Sequence, residues 1–177
     1  MRGSQRRLHV TRHLAQVAYQ HCRAHESGGE GLCMVVAASL GWALRTRHDI
    51  ATQAIAGDFD GEPHWWLLMD GVRIDPTRHQ FEDTHELLYP VADEHPGRYL
   101  DRYTWPSAWT REQAMAEGAR VFIDPDYGRT WVSELADALL NASSDAALSS
   151  SSAVALLPAA GAAAPVKALP VSSPSSK

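Results

Sequence analysis

The 177-residue sequence predicts an α+β fold, and three observations carry that reading. A glycine-rich stretch, Ser27-Gly28-Gly29-Glu30-Gly31, leads into a segment, Leu32 to Leu44, in which almost every position is apolar or small. Such a segment predicts a helix buried nearly all round. Downstream, Asp70-Gly71 lies between two apolar runs, a strong signal for a two-residue hairpin because a type I′ turn needs positive φ at both central positions. From about Ala142 onward, Ala, Ser and Pro replace charged and aromatic residues, so the predicted organisation is one folded domain over 1–141 and a disordered tail over 142–177.

In chain order, Gln5 to His25 predicts a helix with Leu8, Leu14, Val17 and Ala18 at helical spacing. His9, His13, His21 and His25 fall four apart with one gap. Imidazoles at i and i+4 can chelate an ion, but no acidic or cysteine ligand completes a pattern, so no metal and no cofactor are expected. Arg2, Arg6, Arg7 and Arg12 read as a solvated face. After the buried helix, whose Arg45 and Arg47 complement the dipole at its C-terminal end, Asp49 to Ala56 reads as a strand and Gly57 to Gly61 as a loop. Pro76 ends the hairpin's second strand, since proline cannot donate to the ladder. His79 to Leu88 is ambiguous, with a short helix starting near Glu82 as one reading, and Tyr99, Leu100 and Tyr103 suit an edge strand. Thr110 with Gln113 is a capping-box pattern that predicts a helix over Arg111 to Gly118. Val121-Phe122-Ile123 reads as a short strand, Asp124 to Gly128 as a turn, and Thr130 as the cap of a last helix with Trp131, Leu135 and Leu139 on one side.

Composition narrows the function. A net charge of −5 argues against general nucleic-acid binding, and no apolar run reaches the roughly 18 residues that a membrane span needs. The charged N-terminus has no continuous apolar stretch of a secretory signal, so a cytoplasmic location is expected. Two cysteines do not make a disulfide framework. Cys22 sits within a predicted helix and reads as structural, whereas Cys33 lies in the first turn of the buried helix, where free N–H groups and the positive dipole end favour a thiolate. No feature of the sequence sets an oligomeric state.

The hairpin completes a candidate site. With Asp70-Gly71 as the turn, Met69 faces Val72, Leu67 faces Ile74, and His64, Trp66 and Leu68 share a face with Arg73, Asp75 and Thr77. His64 is then a diagonal neighbour of Asp75, with Cα atoms roughly 7–8 Å apart. Cys33, His64 and Asp75 thus form a candidate nucleophile, base and orienter. A free thiol, with a pKa of about 8.5, is mostly protonated at neutral pH, so an adjacent imidazole must take its proton. The plain alternatives are that Cys33 is a small buried hydrophobe and that His64 and Asp75 form an incidental surface pair, which would contribute about 0–1 kcal/mol. Trp65 and Trp66 read as core or cleft-wall residues.

The blocks Gly31-Leu32-Cys33, Ala37 and the helix leucines, Gly57, His64-Trp65-Trp66 and Asp75-Pro76-Thr77 resemble the transglutaminase-like superfamily over residues 28–81. The resemblance implies a papain-like core, with the nucleophile helix packed on an antiparallel sheet that carries base and orienter. It implies Cys33 as nucleophile, His64 as general base and Asp75 as the residue that orients the imidazole. The chain shows no second domain like that of large crosslinking transglutaminases, which leaves peptidase, amidase or deamidase roles on a peptide or protein substrate. For the oxyanion, the Cys33 backbone N–H is one expected donor, with Gln16, Gln20 or Trp66 as candidates for the second. The rival readings are a non-catalytic peptide-binding module on the same fold and an amine acyltransferase.

Overall fold

The protein is described by a computed structural model over residues 2–25, 31–94, 97–106 and 110–154. Its frame is a five-stranded antiparallel sheet in the order β4-β3-β2-β1-β5, formed by β1 (Gln53–Phe59), β2 (Glu62–Met69), β3 (Val72–Ile74), β4 (Leu88–Pro90) and β5 (Tyr99–Pro106). The β2–β3 register pairs Leu67 with Ile74, Leu68 with Arg73 and Met69 with Val72, as the sequence predicts. The turn residues Asp70 and Gly71 both take positive φ, 50° and 76°. Asp60 and Gly61 do the same, at 49° and 93°. The predicted loop over Gly57 to Gly61 is therefore corrected: β1 runs on to Phe59 and only two residues make the turn into β2.

Alternation along the strands splits the buried residues into two clusters. Ala54, Leu67, Met69 and Ile74 face the helices, while Ile55, Phe59, Trp66 and Tyr99 form a smaller core on the opposite side. Helix α2 (Cys33–His48) lies on β1 and β2, and most of its length is buried. It ends at Asp49, which adopts the left-handed conformation (φ 52°) and donates its N–H to the Arg45 carbonyl, while the Ile50 N–H reaches Leu44. This C-cap explains why β1 begins at Gln53 and not at Asp49.

Helix α1 spans Arg2–Arg23. Its core stripe is Val10, Leu14, Ala15, Ala18, Tyr19 and Cys22; Leu8, expected in that stripe, is exposed. His21 and His25 pack their rings near Trp131, at 4.8 and 5.9 Å. Helix α3 spans Arg111–Val121 and opens with the predicted capping box in both directions: the Thr110 N–H donates to Gln113 Oε1 (2.8 Å) and the Gln113 N–H to Thr110 Oγ1 (3.2 Å).

Helix α4 (Pro125–Val154) brings three corrections. Residues 121–123 do not form a strand: Val121 ends α3, and Ile123 is fully exposed and pairs with no strand among the described residues. Asp124, not Thr130, caps the last helix, accepting from the N–H groups of Asp126 (2.9 Å) and Tyr127 (3.2 Å) with Pro125 at the first helical position. The helix also continues past the predicted boundary at Ala142, to Val154, and Ala142 and Ser143 are buried. Alanine has the highest helix propensity, and serine hydroxyls in this stretch bond back along the helix, Ser143 Oγ to the Leu139 carbonyl at 2.7 Å. The rest of the predicted tail, 155–177, lies outside the described residues.

Gly57 pairs with His64 where β1 and β5 shift register, and a Cβ there would lie 2.0 Å from the Leu100 carbonyl oxygen and 2.7 Å from Trp66 Cη2. Backbone cannot yield as a flexible side chain can. Gly57→Ala is expected to destabilise the fold by about 1–3 kcal/mol in urea unfolding; an unchanged midpoint would contradict this close approach.

Candidate active site

Cys33 is the first residue of α2. The preceding Leu32 supplies no side-chain cap, and the first backbone bond of the helix runs from Val36 N–H to the Leu32 carbonyl. The N–H groups of Cys33, Met34 and Val35 thus have no acceptor within the helix and give this end its partial positive charge. Cys33 retains 9% of its surface exposed, whereas Cys22 has none. Both thiols are free.

His64 lies in β2 and Asp75 just beyond β3, and their side chains are wholly shielded from solvent. Nε2 of His64 is 3.0 and 2.9 Å from the two Asp75 carboxylate oxygens. A buried pair of this kind excludes the incidental surface pair. Asp75 also accepts from the Thr77 N–H (3.2 Å) and Thr77 Oγ1 (3.1 Å) on Oδ1, and from the Tyr99 hydroxyl (2.9 Å) on Oδ2. The Thr77 bonds form a local turn of the kind Asp side chains make with the residue two positions on. Tyr99 comes from the far edge strand. Burial and the adjacent carboxylate push its pKa up, so it remains a donor.

With Nε2 committed to Asp75, Nδ1 of His64 is buried without a hydrogen-bond partner, and the thiol of Cys33 lies close enough to act on the ring. Burial alone would disfavour the imidazolium. The charge and hydrogen bond of Asp75 outweigh that effect, Cys33 adds to them, and the His64 pKa is pushed up to about 9. Cys22 is the opposite case: burial, with Cys33 nearby, pushes its thiol up to about 12. Such a thiol is neither nucleophile nor ligand at neutral pH.

Aromatic rings fix the imidazole. Phe81 meets it edge-on at 4.7 Å, Phe59 lies 6.1 Å away and Trp66 5.9 Å. Trp66 is completely buried, a core residue on the His64 face, and its Nε1 has no partner among the described residues. Gln16 is half-buried and Gln20 exposed on α1, and neither hydrogen-bonds Cys33, His64 or Asp75 among the described residues. Among those residues there is also no cluster of three or more metal-ligating side chains, and no helix is long and apolar enough to cross a membrane.

Tyr99 and Phe81 were not among the candidates drawn from the sequence. Tyr99 lies 24 residues from its carboxylate, beyond any local pattern, and Phe81 follows a short 3-10 turn (Arg78–Gln80) that no capping signal announces. The arrangement as a whole can pass a proton between Cys33 and His64 while Asp75 holds the ring's orientation. No protein-family model matches the chain, and comparison with curated proteins and with solved structures finds no match.

The raised pKa has a sign that can be checked. Protonated His64 contributes stability that is fully present below its ordinary value of 6.5 and is lost as pH rises through about 9. An NMR titration of the His64 ring should show a midpoint near pH 9 that drops sharply in Asp75→Asn. A midpoint insensitive to that substitution would show that the carboxylate does not set it.

Proposed function

We propose that the protein is a thiol-dependent hydrolase, a peptidase, amidase or deamidase, that acts on an amide or acyl carbon of a peptide or protein through Cys33, His64 and Asp75. The single observation that carries the reading is the buried His64–Asp75 pair, whose remaining ring nitrogen is left to the only partly exposed thiol, at a helix N-terminus. A helix resting on an antiparallel sheet that bears base and orienter also agrees with the papain-like, transglutaminase-like core that the sequence motifs imply. The two free thiols suit a reducing compartment, and a cytoplasmic setting is part of the proposal.

In the first half-reaction Cys33 Sγ, its proton already held on His64 Nδ1, forms a bond to the carbonyl carbon, and the carbonyl π electrons move to oxygen. Collapse of that oxyanion breaks the bond to the leaving amine, which takes the proton from His64, and leaves a thioester on Cys33. Water then attacks the thioester, giving a proton to His64; the C–S bond breaks and the sulfur leaves as the thiolate beside the protonated ring. Asp75 remains ionised throughout and keeps Nε2 engaged so that Nδ1 faces the thiol.

p-Nitrophenyl acetate reports on this chemistry without a known substrate. Wild-type protein should release p-nitrophenolate and show an acetyl adduct on the Cys33 peptide. Cys33→Ala should lose both, His64→Ala should slow release by about 10²–10⁴-fold, and Cys22→Ala should leave the rate unchanged. Turnover that requires an added amine would assign the protein to acyl transfer. Acetylation unaffected by Cys33→Ala would overturn the mechanism and leave the fold as a peptide-binding module.

A further inference from the structure

We propose that the cavity between the start of α1 and the end of α2 is a second binding site, which takes a soluble small molecule through a phosphomonoester group. Gly3, Arg6 and Arg7 line it from α1, and Arg45, Arg47 and His48 from α2. Its volume of about 600 Å³ lies within the roughly 300–1,000 Å³ usual for small-molecule sites. Cys33 is at the opposite end of the 16-residue α2, roughly 22 Å away at 1.5 Å per residue, so this site does not rest on the hydrolase reading.

Charge is what distinguishes this cavity. Elsewhere Arg73, Arg78, Arg98, Arg102, Arg111 and Arg129 each hold a carboxylate. Here Asp70 meets Arg7 at 3.1 Å and Asp49 meets Arg45 at 2.7 Å, but Arg6 and Arg47 have no carboxylate among the described residues. The dipole of α2 favours Arg47 at its C-terminal end, yet the same rule disfavours Arg6 and Arg7 near the start of α1, whose first turn has no acidic residue. The first-turn N–H groups of α1 lack acceptors within the helix, and a Cβ on Gly3 would meet nothing within 4 Å, so the backbone there is open to a ligand. His48 shows that the two unpaired cations act on one place. Burial, and then the charges of Arg6 and Arg47, hold its pKa below the ordinary 6.5. Its Nε2 is sealed from solvent, so that nitrogen senses the local field and donates nothing to a ligand. Two guanidiniums without a counter-ion match a phosphomonoester, which carries about −1.5 to −2 at neutral pH and offers three oxygens to their planar forks. A singly charged carboxylate or sulfate ester would leave one cation unanswered.

The His48 ring is a built-in reporter for the test. Phenyl phosphate, titrated into the full chain at constant ionic strength, should shift the His48 NMR signals saturably and raise the ring's titration midpoint, because the bound dianion offsets Arg6 and Arg47. Arg6→Gln and Arg47→Gln should each weaken binding by about 10–100-fold, the loss expected for a hydrogen bond to a charged group. Neither substitution should lower the ligand-free thermal midpoint, since each removes like-charge repulsion. Phenyl sulfate, with the same ring and one charge fewer, should bind at least about tenfold more weakly. A shift no larger than sodium chloride produces, equal binding of phenyl sulfate, or undiminished binding in the double variant would overturn the proposal. Sedimentation with phosphatidylserine vesicles, and no response to phenyl phosphate, would overturn it in favour of a membrane surface.

Discussion

The carboxylate of Asp75 is the point on which the site depends. It has no exposed surface, and two ionisable groups removed from water are stable together only when their remaining lone pairs and protons are satisfied. Thr77 satisfies Oδ1, Tyr99 satisfies Oδ2, and His64 spans both. Breaking a buried pair by removing one member typically costs 3–5 kcal/mol, so structure and chemistry here are not separable. The same arrangement that makes the charge tolerable also locks the imidazole in one orientation and raises its proton affinity.

The sheet exists in the form it does to deliver those partners. β2 and β3 bring His64 to Asp75 through a two-residue turn, while β5, on the other edge, brings Tyr99 across the face. Gly57 lets β5 pass close enough, since its missing Cβ makes room for the Leu100 carbonyl and the Trp66 ring. Arg73 then seals this second core. It lies over the rings of Trp66 (5.2 Å) and Tyr99 (4.7 Å), and its guanidinium pairs with Glu94 and, at 2.8 Å, Asp101. Placement on a strand for His64 and immediately after one for Asp75, and not on long loops, gives the pair rigid support.

Local rules made much of this legible from the residues alone. The Asp70-Gly71 turn set the hairpin register and with it the shared face of His64 and Asp75, and the capping box at Thr110 set the start of α3. What local rules miss is tertiary. Tyr99 reaches Asp75 only through a strand crossover, Gly57 reads as loop until β5 is seen against it, and Leu8 lies outside a stripe that Val10 and Tyr19 fill because of what α1 packs against. The Ala- and Ser-rich end of α4 failed for another reason. Low hydrophobicity reads as an inability to form a core, yet small residues can extend a helix already docked through Trp131, Leu135 and Leu139.

The proposed mechanism requires Cys33 and His64 to share a proton while Cys22 is inert, and the pH dependence of iodoacetamide alkylation reports on that pairing. Each cysteine would be followed by peptide mass spectrometry in wild type and in His64→Ala. Cys33 should react well below pH 8, this low-pH reactivity should disappear without His64, and Cys22 should stay unreactive throughout. Cys33 titrating like an ordinary thiol, indifferent to His64, would contradict it.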